Sequence, residues 1–302
     1  MCPLLRFDDV WRGFGREPVL RGLSFEVRPG EVYALLGRNG TGKTTAIRVL
    51  LGFLEPDSGA SEVLGCASRK LTPALRDRIG YVGEGHVLYR WMSVAEVLRF
   101  ERGTRKRFDL AYAERTVQRL GLPPSQRVRQ LSRGQRAQLA LAVTMASRPD
   151  VLVLDDPAMG LDAVMRREFL EAMIDLVGDE GRGVLFSSHI LSDVERIADR
   201  VGILSEGRLL VDATLEDLKR RVQVRHARVA GGARPDLPGV LRARAVRDGL
   251  DLLLLDLDAE REAALARAVE SLSAPQTRSL EELFLELVGG ETAGSPIERR
   301  SA

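Results

Sequence analysis

The sequence predicts an α/β fold built on a largely parallel sheet with helices on both faces. Two observations carry this. Apolar strand-like runs alternate with stretches of helical spacing from about residue 32 to residue 189, the pattern of parallel strands joined by crossover helices. One of those strands also feeds a glycine-rich loop that opens directly into a helix, the turn such sheets use at their carboxyl edge.

The elements follow in order. Leu23 to Gly37, LSFEVRPGEVYALLG, reads as two strands around a Pro-Gly turn. Thr44 to Leu54 carries apolar residues at helical spacing. The strand RIGYV precedes an irregular stretch from Gly83 to Trp91. Ser93 with Glu96 three places on is a capping box, and it opens a charged helical region reaching about Leu122, before Pro123 and Pro124. SRGQRAQLALAVTMAS is another helix; the strand VLVLD, the helix AVMRREFLEAMIDLV and the strand GVLFSSH come next.

Composition changes near residue 217. Residues 219–247 hold nine Lys or Arg against the single acid Asp236, a run that suits either anionic lipid head groups or a solvated face. The apolar strand LDLLLLDLD and a helix around REAALARAVESL follow. A last helix opens with the box Ser279–Glu282, keeps Leu280, Leu283, Phe284 and Leu287 on one face, and stops at Gly289. The reading is therefore a main domain over 1–216, a small α+β domain over 217–290 and a disordered tail over 291–302.

Bulk composition excludes several classes. A net charge of +2, from 45 basic and 43 acidic residues, points to no nucleic-acid partner. Cys2 and Cys66 form neither a metal-ligand spacing nor a disulfide framework, which favours a reducing compartment. The start lacks a basic leader with a cleavage site, and no run approaches the roughly 20 apolar residues of a spanning helix.

The chemistry concentrates in GRNGTGKT, comprising Gly37, Arg38, Asn39, Gly40, Thr41, Gly42, Lys43 and Thr44, with Thr45 following. It fits the phosphate-cradling pattern and sits in the required context, after a strand and opening a helix. Its glycines let successive backbone N–H groups point at phosphate oxygens, aided by the helix N-terminus. Lys43 is placed to reach the outer phosphates, and the Thr44 hydroxyl is a candidate magnesium ligand. Asp155, ending VLVLD, suits the second metal-organising position.

Further downstream pieces complete a set. Leu131 to Gln135, LSRGQ, opens a helix 20 residues before Asp155; Gly160 to Asp162 follows the acids; His189 ends the next strand, 34 residues after Asp155. In this order the set resembles the ATP-binding subunit of an ABC transporter, over about residues 4–216. The resemblance implies a P-loop NTPase cassette: a mostly parallel core with an antiparallel β subdomain and a helical subdomain at about 91–147. It implies ATP with magnesium as ligands, and hydrolysis coupled to transport. It also implies a separate transmembrane permease as partner, with the cassette held peripherally at the cytoplasmic face of the membrane. Two cassettes, identical or not, would pair head to tail, so that Ser132, Gly134 and Gln135 of one touch the γ-phosphate held by Lys43 of the other. Asp162 would order the opposite site, and His189 would contact the γ-phosphate. Phe14 stands where an aromatic stacks on adenine, or is a core ring. The segment from Glu84 to Trp91, with Val87, Leu88, Tyr89 and Trp91, would be the permease docking surface or ordinary core. SLEELFLELVGG resembles the C-terminal extension of the type-2 exporter subfamily.

This sequence departs from the family at four positions. Asp156 replaces the glutamate that polarises the attacking water. Glu84 replaces the glutamine that links nucleotide to permease, and becomes a candidate metal ligand and catalytic group. Arg133 replaces a signature glycine, and Met159 takes a position often held by serine. Shortening Glu to Asp retracts the carboxylate by about 1.5 Å. Two accounts follow: a working ATPase in which local structure compensates, or the weaker half of a heterodimer.

Overall fold

The computed structural model describes residues 2–177, 181–229, 239–276 and 279–288. Its contacts divide the chain into two units, Met1–Asp212 and Ala213–Ala302, a division four residues before the boundary expected from composition.

The first unit runs β1 (Leu5–Phe14), β2 (Glu17–Val27), β3 (Val32–Leu36), α1 (Lys43–Leu50), β4 (Ser58–Val63), β5 (Cys66–Ala67), α2 (Pro73–Arg76) and β6 (Ile79–Val82). It continues with α3 (Val94–Thr104), α4 (Leu110–Arg119), α5 (Arg133–Ala146), β7 (Val151–Leu154), α6 (Ala163–Val177), β8 (Gly183–Ser188), α7 (Leu191–Ile197), β9 (Arg200–Ser205) and β10 (Arg208–Thr214), whose last two residues fall past the division.

Six strands form the central sheet in the order β10-β9-β3-β8-β7-β6. The pairs β3·β8, β3·β9, β7·β8 and β6·β7 are parallel. Strands covered on both faces must be apolar throughout, and every residue of β7 and β8 is buried. The carboxyl ends of β3 and β8 lie level, Leu36 pairing with Ser188, and β7 ends two residues earlier beside them, Leu154 pairing with Phe186. The glycine-rich loop, the two acids and His189 leave the sheet from those three ends.

A second sheet, β2-β1-β4-β5, is antiparallel. The two strands expected around Pro29-Gly30 are both present but belong to different sheets, β2 to this one and β3 to the parallel core. The turn residues report only that the chain reverses; sheet membership is set by pairing of β2 with β1, which the sequence reading did not identify. Phe7, Phe25 and Tyr33 stack at 4.7 and 5.0 Å where these sheets share a core.

Helix α1 ends four residues before the expected Leu54, because Gly52 takes φ +71° and the Phe53 amide turns back to the Arg48 carbonyl. The Ser93–Glu96 capping box opens α3, with both reciprocal bonds formed. The expected charged helix to Leu122 is two helices: the chain extends at Arg105, buries Phe108 and restarts with Asp109 as cap of α4. Val94, Val97, Leu98, Val117, Leu122, Leu139 and Val143 give α3, α4 and α5 a core of their own.

The second unit contains α8 (Leu215–Arg221), β11 (Val222–Arg228), β12 (Val240–Val246), β13 (Gly249–Leu255), α9 (Ala259–Ala268), β14 (Ser271–Leu272) and α10 (Leu280–Val288). Its sheet, β12-β13-β11-β14, is antiparallel, and Ala227, Val240, Leu250, Leu252, Leu254 and Leu265 fill a core under it. Ser279 and Glu282 form the expected box at α10. Three cations of the basic stretch find acids beyond it: Arg220 on Asp217, Arg221 on Asp256 and Arg225 on Glu262. Those pairs favour the solvated-face reading of that stretch over a lipid-binding one. Residues 230–238, Gly289 and the tail 291–302 lie outside the described residues. Among the described residues no helix is long and apolar enough to cross a membrane.

Candidate functional site: a phosphate loop under two adjacent carboxylates

The loop after β3 is shaped by glycine. Gly40 and Gly42 adopt φ of +84° and +107°, and Gly42 caps α1 without any side chain in the way. A Cβ on Gly42 would stand 2.9 Å from Leu20 Cδ2 and 3.1 Å from the Val19 carbonyl, in a backbone region that L residues enter at a cost of about 1–2 kcal/mol. Gly42→Ala is therefore expected to lower the thermal midpoint by about 2–8 °C, from the usual 2–4 °C per kcal/mol for a unit of this size. A melting curve identical to wild type would show that the loop relaxes freely.

Lys43, 5% exposed, donates from Nζ to the carbonyls of Gly37 at 2.8 Å and Arg38 at 3.3 Å. Thr41 Oγ1 donates to the Arg38 carbonyl at 2.9 Å and braces the same turn. Arg38, Asn39 and Gly40 are exposed, while Thr44 and Thr45 are half-buried. Burial pushes the Lys43 ammonium down from its ordinary pKa, and the carboxylates of Asp156 and Asp155 oppose that.

Asp155 leaves β7 with its amide donating to the Val82 carbonyl at 2.9 Å, which anchors it to β6. Its carboxylate is 2% exposed and accepts from Thr44 Oγ1 at 3.1 Å and Ser187 Oγ at 2.9 Å. Burial pushes this carboxyl up, those two hydroxyl bonds pull it back, and Asp156 adds to the rise. Ser187 also accepts the Asp156 amide at 2.8 Å, so one buried hydroxyl positions both acids. The sequence reading missed Ser187. Its signal was a polar residue inside the fully buried run VLFSS, two places before His189.

Asp156 takes φ +43°, a left-handed conformation for a non-glycine residue. His189 Nδ1 lies 3.0 Å from its Oδ1, and a carboxylate oxygen can only accept, so Nδ1 carries the proton. Lys43 Nζ stands 3.8 Å from Oδ2. Lysine, the two acids, the Thr44 hydroxyl and His189 thus converge above the carboxyl ends of β3, β7 and β8.

Among the described residues no group of three His, Cys, Asp or Glu forms a ready metal cage. The donor set nonetheless fits magnesium, which takes oxygen ligands and is commonly held by one or two carboxylates with substrate phosphates. The bonded hydroxyl and carboxylate of Thr44 and Asp155 are such a pair. Glu84, exposed, shares the wall of a cavity of about 390 Å³ with Thr44, Asp155 and Tyr81. Burial raises the Tyr81 phenol, with Asp155 and Glu84 adding to the effect.

The segment after Glu84 divides. Val87 is 94% and Trp91 64% exposed, and Tyr89 packs its ring 6.2 Å from Trp91 and 5.2 Å from Phe100. Leu88 takes the core alternative: it is half-buried and packs on the core of α3, α4 and α5. Phe14 is 49% exposed with the Arg12 guanidinium 5.1 Å from its ring centroid, which removes the core-ring alternative.

Ser132, Gly134, Gln135 and Asp162 do not join the lysine in this chain. Ser132 caps α5, its Oγ accepting the Gln135 amide at 3.1 Å while Gln135 Oε1 accepts the Ser132 amide at 2.9 Å. A Cβ on Gly134 would meet Met165 of α6 at 3.0 Å. Asp162 Oδ1 accepts the Met165 amide at 2.9 Å. Arg133 donates to the Gly160 carbonyl at 3.4 Å. The second missed residue is His86, 7% exposed, whose Nε2 lies 2.7 Å from the Pro157 carbonyl.

Comparison with known proteins places this arrangement. Residues 20–159 match the family model described as ABC transporter. The chain is 32% identical over 216 residues to the ABC transporter ATP-binding protein YtrB of Bacillus subtilis (strain 168), covering 72% of this chain and 74% of that one. It is 33% identical over 307 residues to the daunorubicin resistance ATP-binding protein DrrA3 of Streptomyces coeruleorubidus, covering 94% and 95%. A solved ATP-binding subunit of an ABC transporter superposes with a TM-score of 0.64 at 31% identity, over 72% of this chain and 92% of its own. With a phosphate loop, paired acids and a signature helix on that fold, the chain belongs to the ABC transporter family as an ATP-binding subunit.

Proposed function

We propose that this chain binds ATP with magnesium, hydrolyses it, and powers export through a separate transmembrane permease. The single observation that carries the reading is Asp156, turned by a left-handed backbone onto His189 and facing Lys43. Members of this family are generally ATPases, and the full-length likeness to a daunorubicin resistance ATP-binding protein favours export.

The residues divide the work. Backbone N–H groups of Gly40 to Thr44 and the Lys43 ammonium hold the phosphates, and Phe14 stacks on the adenine. Thr44 and Asp155, with Glu84 near them, hold magnesium, which supplies charge neutralisation on the outer phosphates. Asp156 orients the attacking water and takes up its proton, while His189 keeps that carboxylate in one rotamer and meets the γ-phosphate. Ser132, Gly134 and Gln135 close on the nucleotide of a second cassette across a head-to-tail dimer, and Asp162 stiffens the turn facing that neighbour. The exposed Val87, Tyr89 and Trp91 meet the permease, which holds the cassette at the cytoplasmic face of the membrane.

The test uses the Asp156→Asn chain, in which slow turnover preserves bound nucleotide. With saturating ATP and magnesium it is expected to elute as a dimer in size exclusion, and as a monomer with ADP. A chain that stays monomeric with ATP, alone and with other cassettes supplied, would overturn the shared site. The short acid favours a second reading, a weak half of a heterodimer. Dimerisation only with a second, glutamate-bearing cassette, together with negligible single-turnover hydrolysis by the wild-type chain, would select it.

A further inference from the structure

His86 is buried in a loop whose neighbours Glu84, Gly85 and Val87 are exposed. Its backbone takes φ +49°, a conformation that L residues hold only when their surroundings impose it. The side chain accounts for that. Nε2 reaches the Pro157 carbonyl at 2.7 Å, and a carbonyl only accepts, so Nε2 carries the proton. Pro157 follows Asp156 directly. On the far side the imidazole stands 6.3 Å from the ring of Phe169 in α6, the helix that Asp162 caps, and Arg136 of α5 lies close enough to act on its charge. One ring therefore touches the turn of the catalytic acid and the helix beyond it, two residues after Glu84 and one before Val87.

We propose that His86 is a positioning residue that locks the Glu84–Trp91 loop to the Asp156 turn, so that displacement of the loop by a docked partner moves the acid. The proposal rests on the ATPase reading for its consequence but not for the contact itself. The route differs from any that runs through Glu84: it passes behind the acids, through the Pro157 carbonyl, and requires no ligand in the nucleotide site. Packing alone would be served by any ring of this size, whereas a lock requires a donor at Nε2.

Two variants separate these roles. His86→Phe keeps the ring and removes the donor; His86→Gln keeps an amide N–H at similar reach. Steady-state ATP hydrolysis by the full chain is expected to show kcat down about tenfold in His86→Phe, by the sensitivity of rate to acid placement, with KM for ATP within about twofold. His86→Gln is expected to recover most of that loss. Amide hydrogen exchange followed by mass spectrometry, without nucleotide, is expected to speed up together in peptides covering 83–91 and 155–162 of His86→Phe, and in neither for His86→Gln. Unchanged kcat in His86→Phe, or faster exchange in only one of the two segments, overturns the lock. Equal loss of rate and thermal midpoint in both variants shows a packing role and also overturns it. Should the wild-type chain hydrolyse nothing, the ATPase reading fails separately, and the exchange experiment still decides the contact.

Discussion

Lys43→Ala is expected to lower ATP affinity by at least about a hundredfold, roughly 2.7 kcal/mol. The ammonium is almost wholly buried and already aimed along the loop by the Gly37 and Arg38 carbonyls. A hydrogen bond to a charged group is worth about 1.5–3 kcal/mol, and a lysine that reaches two phosphates makes more than one. The variant also strips Asp156 of the cation 3.8 Å away, beside a second carboxylate. Titration calorimetry with ATP and magnesium measures the change. Affinity within threefold of wild type would mean that the backbone amides alone hold the triphosphate.

Asp156→Asn is expected to reduce single-turnover hydrolysis by about 10²–10³, within the range for loss of a general base. ATP affinity is expected to stay within about threefold, since neither the loop amides nor Thr44 and Asp155 are altered. The amide keeps the shape of the side chain that His189 contacts and leaves the backbone N–H bond to Ser187 untouched, so the loss isolates proton acceptance from geometry. Hydrolysis as fast as wild type would remove Asp156 from the reaction. Asp156→Glu extends the carboxylate by about 1.5 Å, and a reach-limited acid would then turn over faster. A rate equal to wild type would show that the left-handed turn has already brought the shorter acid to its water.

How much of the site could be read from the chain follows from how far apart its parts lie. The phosphate loop is eight consecutive residues between a strand and a helix, so its chemistry is local and the sequence displays it in full. The capping boxes at Ser93 and Ser279 are equally local, each closed over three residues, and both formed as expected. Leu88 shows the opposite case. It is flanked by exposed residues in an irregular segment, and only the packing of α3, α4 and α5 beneath it distinguishes its role from that of Val87. Ser187 and His86 were passed over because one polar residue in a strand and one histidine in a loop have no spacing to betray them. Their partners lie 31 and 71 residues away in the chain.

By itself, then, the sequence determined the alternation of strands and helices, the nucleotide loop, the buried strand that ends in paired acids, and the family. These rest on periodicity and on motifs a few residues long, where neighbouring side chains dictate local backbone geometry. Tertiary structure alone decided that β2 and β3 part into different sheets. It alone decided that Ser187 seats both acids, that Asp156 meets His189, and that His86 reaches Pro157. Each of those is a long-range pairing created when parallel strands align their carboxyl ends, and no local pattern encodes which residues such an alignment brings within bonding distance.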